Sequence, residues 1–168
     1  LQIKPLTAVV VVDFLHFQIP TLEVEKALMK LPYISNACVL GVPYPRTTQL
    51  CGAVVQLKPA NIPVESISLR SIRLALRDIL PTYMQPCVLR ILKDGEILPL
   101  TLSGKFVKKK ILADYFGGSG WDSANSQPPE VEIWDSIPSV ENWGGTPRMK
   151  GTYKVWDWGG LQHADRRA

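Results

Sequence analysis

Leu98-Pro99-Leu100-Thr101-Leu102-Ser103-Gly104-Lys105 is the stretch on which the reading of this chain turns. An extended, proline-bearing segment runs into Ser103-Gly104-Lys105, and Val107, Ile111 and Tyr115 then recur on one side of a helix. A glycine at such a junction lets the backbone turn tightly and approach another surface. The lysine after it is a long, mobile cation that can reach a phosphate or carboxylate oxygen. If it met the reacting groups of an acyl-phosphate transfer, it would stabilise the charge that develops at phosphorus. Taken alone the tripeptide is more often an exposed loop lysine without a role, so its surroundings have to decide.

Working back from that loop, Val88 to Leu92 reads as a short strand, with Asp94-Gly95 as a turn before the decisive segment. A helix over 68–80 would bury Leu69, Ile72, Leu76 and Ile79, and Pro81 closes it. Two runs rich in β-branched residues, Ala37 to Val42 and Cys51 to Leu57, flank a turn-like segment from Pro43 to Gln49. Before them, Thr21 is read as the N-cap of a helix. Glu23 and Glu25 lie in its first turn, and Val24, Ala27, Leu28 and Leu31 form one buried face. Leu6 to Leu15 is apolar and broken by Asp13. It falls well short of the roughly 20 residues of a membrane helix. Lys4 alone is a thin positive region for a signal peptide, so a buried strand is the preferred reading over a targeting segment. Gly117-Gly118 ends the last helix as C-cap residues would.

The order is a hairpin or strand, helix, two strands, helix, strand, loop and helix. It predicts an α+β fold: a small mixed domain with a short antiparallel sheet flanked by helices, followed by an irregular Trp-rich extension. The expected partition is an atypical segment over 1–16, the domain over 17–116 and the extension over 117–168.

Four phrases occur in succession: Pro20-Thr21-Leu22-Glu23-Val24-Glu25, Gly41-Val42-Pro43, Leu80-Pro81-Thr82-Tyr83-Met84-Gln85-Pro86, and Leu98 to Lys105. Together they resemble the C-terminal domain of the acyl-CoA synthetase, adenylation-domain and luciferase superfamily, over about Phe17 to Tyr115. The resemblance implies a small lid that closes over a larger ATP-binding domain. Lys105 would be the catalytic lysine that assists acyl-adenylate formation, with Ser103 and Gly104 shaping the loop that meets the nucleotide cofactor. The lid would then rotate and present its opposite face for attack by CoA, each closed geometry excluding water. ATP, Mg and CoA are implied for the full enzyme, and none for this chain alone. The partner implied is an N-terminal adenylation domain. Gly104-Lys105-Phe106-Val107-Lys108-Lys109-Lys110 departs from the Gly-Lys-aliphatic-Asp-Arg pattern of peptide-synthetase domains and leans toward acyl- or aryl-CoA ligases.

Two departures matter. Phe17-Gln18-Ile19-Pro20 keeps a family phrase, but His16 stands where the family has glycine, which implies a side chain intruding on the CoA channel. Leu1 to Leu15 matches neither the family's hinge nor the strand before it. No Ser/Thr/Gly-rich phosphate loop ending in Lys-Gly occurs, so a truncated form, inactive by itself, is the expectation.

Composition narrows the alternatives. A hydrophobic share of 46% and a net charge of +4 suit a globular protein and give no mandate for nucleic acid. Lys105 and Lys108-Lys109-Lys110 form a basic patch, read as a solvated helix face before contact with CoA phosphates. Cys38, Cys51 and Cys87 lie in apolar runs without CxxC spacing, so free buried thiols are expected and a metal site is not. His16 and His163 stand apart from any ligand set. A cytoplasmic location is expected, with no clear peroxisomal signal and no membrane span. All five tryptophans, Trp121, Trp134, Trp143, Trp156 and Trp158, fall after Phe116. That concentration supports a second class of function, a non-catalytic interaction protein that holds a carrier or other partner through its tail. Docking of the tail on its own enzyme is the simpler reading.

Overall fold

The computed structural model describes residues 10–14, 17–44, 47–59, 63–118 and 128–134. Strands β1 (Val11–Phe14) and β2 (Phe17–Pro20) form an antiparallel pair, with Val12 opposite Ile19 and Phe14 opposite Phe17. Val12, Phe14 and Ile19 are fully buried, while Asp13 and Gln18 face outward. This is the period-2 alternation of a half-buried ribbon. Val11–Phe14 is therefore the buried strand expected ahead of Phe17, although Leu1 to Leu15 does not match the family phrase. Its charged Asp13 sits on the solvent side and leaves the buried face apolar. His16 and the residues before Val10 lie outside the described residues.

Helix α1 (Thr21–Met29) buries Val24, Ala27 and Leu28, the face expected from their spacing. Its N-cap is Pro20, not Thr21. The Thr21 hydroxyl donates to Val10 O at 3.1 Å, and its N–H donates to the same oxygen at 3.0 Å, so the side chain ties the helix to β1 instead of capping it.

Strands β3 (Ile34–Pro43) and β4 (Gln49–Leu57) pair antiparallel, from Ala37 opposite Val55 to Pro43 opposite Gln49. Helix α2 (Leu69–Leu76) lies in the crossover to β5 (Val88–Ile91), which pairs parallel to β4. The sheet is therefore mixed, not antiparallel. A parallel neighbour needs a long return path, and α2 provides it. Covered strands on both sides make Leu50 to Val55 buried throughout, which is why that run lacks alternation. α2 ends at Leu76 instead of Leu80, and Ile79 is 38% exposed because the chain leaves the helical face before reaching it. A capping box at Ser68 and Ser71 starts the helix.

Gly41 of the Gly41-Val42-Pro43 phrase has a packing reason. A Cβ there would lie 2.4 Å from Gln49 Oε1, the oxygen that accepts Asp13 N–H at 3.0 Å. The bare glycine lets the Gln49 amide cross β3 and fasten β1 to the sheet.

Helix α3 (Lys108–Phe116) lies against β3 and buries Ile111 and Phe116, and Gly117 caps it in the left-handed conformation at φ 75°. Beyond it the extension is not wholly irregular. Strand β6 (Val131–Ile133) pairs antiparallel with β5, giving the order β3-β4-β5-β6. Glu132 Oε2 accepts Leu69 N–H at 2.8 Å at the start of α2, where the helix dipole favours a carboxylate. The ring of Trp134 lies 4.4 Å from the Arg73 guanidinium carbon. So one of the five tryptophans docks on its own domain. The other four lie outside the described residues.

Candidate functional site

The loop at Lys105 is a tight hairpin. Leu100 pairs with Phe106, Thr101 N–H donates to Lys105 O at 2.8 Å, and Gly104 N–H donates to Thr101 O at 2.9 Å. Gly104 has φ 77°, which makes this a three-residue turn closed by a left-handed bulge. No atom stands within 4 Å of a Cβ built on Gly104, so backbone conformation, not space, is what asks for glycine. The Ser103 and Thr101 hydroxyls lie 2.9 Å apart, and Thr101 Oγ1 accepts Lys105 N–H at 3.1 Å. Ser103 therefore stiffens the turn from inside. At the base, Val107 N–H donates to Pro99 O at 2.9 Å.

Lys105 is exposed, and no described residue engages its ammonium group. Leu102 at the tip is fully exposed and Leu100 about half exposed, so the cation stands beside apolar side chains on a stiff projection. Such a tip suits insertion into another surface.

The four-lysine patch does not survive as a unit. Lys108 Nζ turns inward and donates to Val39 O at 2.7 Å and Thr21 Oγ1 at 3.1 Å, and it lies 3.5 Å from Glu25 Oε1. The same Glu25 oxygen accepts Val39 N–H at 2.9 Å. Lys108 thus staples the first residue of α3 to α1 and β3, three positions after Lys105. Lys110 pairs with Asp114 at 3.0 Å across one helical turn, while Lys109 is exposed. Lys108→Met would leave a largely buried carboxylate and a carbonyl without their cation. It is expected to cost about 2 kcal/mol, whereas Lys109→Met should stay within about 0.5 kcal/mol. The two urea unfolding midpoints decide this.

The three cysteines are free and buried. Burial pushes the Cys38 thiol up to about 12 and raises Cys51 and Cys87 as well. Groups that hold their protons more tightly when folded stabilise fully below the unfolded thiol value, and that contribution is lost as pH rises toward the folded one. Alkylation of the native chain at pH 8 should therefore be slow, and unfolding free energy should fall above about pH 9. A Cys-less variant would flatten that decline.

Several structural side chains escaped the sequence reading. Arg73 is buried with Nη1 donating to Gln85 O and Pro86 O at 3.2 and 2.7 Å. Its position, four residues after Leu69 and three before Leu76, put it on the buried face of α2. Arg90 sits in β5 between Val88 and Leu92, the parity of the buried face. Among the described residues no group of three His, Cys, Asp or Glu side chains could hold a metal ion, and no helix is long and apolar enough to cross a membrane.

The mixed sheet with flanking helices and the Gly-Lys hairpin between β5 and α3, taken with the matches that follow, identify an acyl-CoA synthetase-like C-terminal domain. Residues 23–105 match the family described as AMP-binding enzyme C-terminal domain, and this part of the chain belongs to it. The chain is 35% identical to the acyl-CoA ligase oryP of Aspergillus oryzae over 124 residues, which are 72% of this chain and 22% of that protein. It is 34% identical to 4-hydroxybutyrate–CoA ligase 1 of Metallosphaera sedula over 89 residues, 53% of this chain and 15% of that one. Among solved structures, the acyl-CoA synthetase of Brucella canis superimposes with a TM-score of 0.52 at 29% identity, covering 61% of this chain and 18% of that chain. The amide bond synthetase McbA of Marinactinospora thermotolerans gives 0.52 at 24% identity over 60% of this chain and 19% of its own, a likeness of fold alone. This chain spans about a fifth or less of the length of these curated relatives.

Proposed function

We infer that this domain is the moving lid of an ATP-dependent acid–thiol ligase and that Lys105 is its catalytic lysine. The observation that carries this is the hairpin itself, a rigid turn that holds one exposed ammonium group clear of the domain's internal ion pairs. In the proposed first step the carboxylate of an organic acid attacks the α-phosphorus of ATP, the acyl-adenylate forms and pyrophosphate leaves. The Lys105 cation stabilises charge on the phosphoryl oxygens and leaving group as it develops, which is where a placed charge is worth most. Ser103 and Gly104 keep the turn that presents it. In the second step the CoA thiol attacks the acyl carbonyl and AMP leaves. The lid is proposed to reorient between the steps, so that Lys105 serves only the first.

ATP, its Mg and the acid are assigned to a partner adenylation domain, since the family divides the site that way. The test is ATP–pyrophosphate exchange with a panel of carboxylic acids, using this chain supplied with an adenylation domain and compared with the Lys105→Ala form. Exchange that needs the lid but ignores Lys105 would sink the assignment. If the chain supported no exchange yet bound a carrier protein through residues beyond Trp134, the interaction-protein reading would replace it.

A further inference from the structure

Arg90 is an odd residue for the middle of a buried strand. It is 5% exposed, in a run of Val88, Leu89 and Ile91. Its Nη2 donates to both carboxylate oxygens of Glu96, at 2.8 and 2.9 Å, and its Nη1 donates to Ile91 O. Glu96 also accepts Lys93 N–H at 2.8 Å, and Glu96 N–H donates to Lys93 O at 3.1 Å, so the turn over 93–96 is closed from two sides. The guanidinium carbon also lies 5.5 Å from the centre of the Tyr115 ring. The Tyr115 hydroxyl donates to Ile97 O at 2.7 Å. Burial and the Glu96 carboxylate both hold that phenol protonated, which keeps it a donor.

These contacts converge on one place. Glu96 and Ile97 lead directly into Pro99, the first foot of the Lys105 hairpin, and the second foot runs into α3, which carries Tyr115. Arg90 is buried and the Glu96 side chain is 30% exposed, and well-packed apolar side chains usually replace such a pair at little cost in stability. Its worth lies in fixing one arrangement. Two charge-assisted hydrogen bonds from Nη2 to one carboxylate, a third from Nη1 to Ile91 O and a ring beside the guanidinium fix both direction and distance.

We propose that Arg90 is a positioning residue for Lys105: held by Glu96 and Tyr115, it sets the angle at which the hairpin leaves the sheet. The proposal rests on the lid reading above, and it concerns where the lysine is held, not the chemistry it performs. Small displacements matter in such a step, since about 1 Å of misplacement can cost roughly a hundredfold in rate.

The test has two arms. In the 168-residue chain alone, amide hydrogen exchange is followed at Thr101, Gly104 and Val107, with Cys38 and Val54, paired across β3 and β4, as controls. The paired variant Arg90→Leu/Glu96→Leu, and separately Tyr115→Phe, are expected to speed exchange at the hairpin about tenfold while the controls and the urea midpoint hold. In the second arm, with an adenylation domain present, the paired variant should lower kcat for ATP–pyrophosphate exchange about tenfold with KM for ATP unchanged. Thioester formation from added acyl-adenylate should be unaffected. Arg90→Lys keeps the charge without the fork and should fall between. Unchanged hairpin exchange in the paired variant, or hairpin and control amides loosening together, would overturn the positioning role. Exchange activity that survives Lys105→Ala would instead overturn the functional reading, and it is told apart because that variant leaves Arg90, Glu96 and Tyr115 in place.

Discussion

Lys105→Ala is expected to lower ATP–pyrophosphate exchange by about 10²–10³-fold, the range found when one placed donor to a developing anion is removed. Folding should be untouched, because the side chain is exposed and no described residue engages it. Adenylate formation and thioester formation should separate in this variant. A lysine that acts only on the closed adenylation geometry leaves the attack of CoA on a preformed acyl-adenylate at its original rate. Lys105→Arg is the sharper comparison. It keeps a charge, but it replaces a compact ammonium by a planar fork on a differently shaped stem. A merely electrostatic role would let arginine rescue most of the rate; an insertion role predicts that it rescues little. Equal losses in both half-reactions would mean that the substitution disturbs the lid as a whole.

The turn that carries Lys105 was legible because turn chemistry is local, whereas the catalytic role came only from the succession of family phrases. Ser103-Gly104-Lys105 after an extended run announces a tight turn, and Gly104 at φ 77° is that turn. The helices were legible from spacing: Val24, Ala27 and Leu28 recur as a face and are buried as one. Where the reading slipped, a distant partner had intervened. Thr21 has the chemistry of an N-cap, yet Val10 O and Lys108 claim its hydroxyl from outside the helix. Lys108 looks like one of three solvated lysines until β3 and α1 supply a carbonyl and a carboxylate. The parallel pairing of β4 and β5 was equally hidden, since two short apolar runs do not carry their relative direction. Arg73 and Arg90 were signalled by parity alone, each occupying the buried phase of its element. A charge on a buried face implies an internal partner, but periodicity cannot name it.

The extension shows the same limit on a larger scale. Pro, Gly, Ser and Asn around isolated tryptophans gave no period, and a three-residue strand is too short to make one. Yet that strand closes the β5 edge, so the sequence-based boundary at 116 cuts through a working sheet. Ending the chain after Gly118 is expected to cost about 3–5 kcal/mol. Buried Val131 alone is worth about 1.5–3 kcal/mol, and the Glu132 carboxylate at the start of α2 adds about 1 kcal/mol. The loss of Trp134 from Arg73 is partly offset, because the guanidinium regains water when the indole leaves. For a domain whose total stability is about 5–15 kcal/mol, such a loss is large. Urea unfolding of the shortened chain measures it, with Trp134→Ala as an intermediate step expected near 1–2 kcal/mol. Should the shortened chain unfold at the same midpoint as the whole, β6 is an ornament on a sheet that stands without it. A drop of the expected size would extend the folded unit at least to Trp134, and the Lys93–Glu130 pair and the Arg73–Trp134 contact would become parts of the domain.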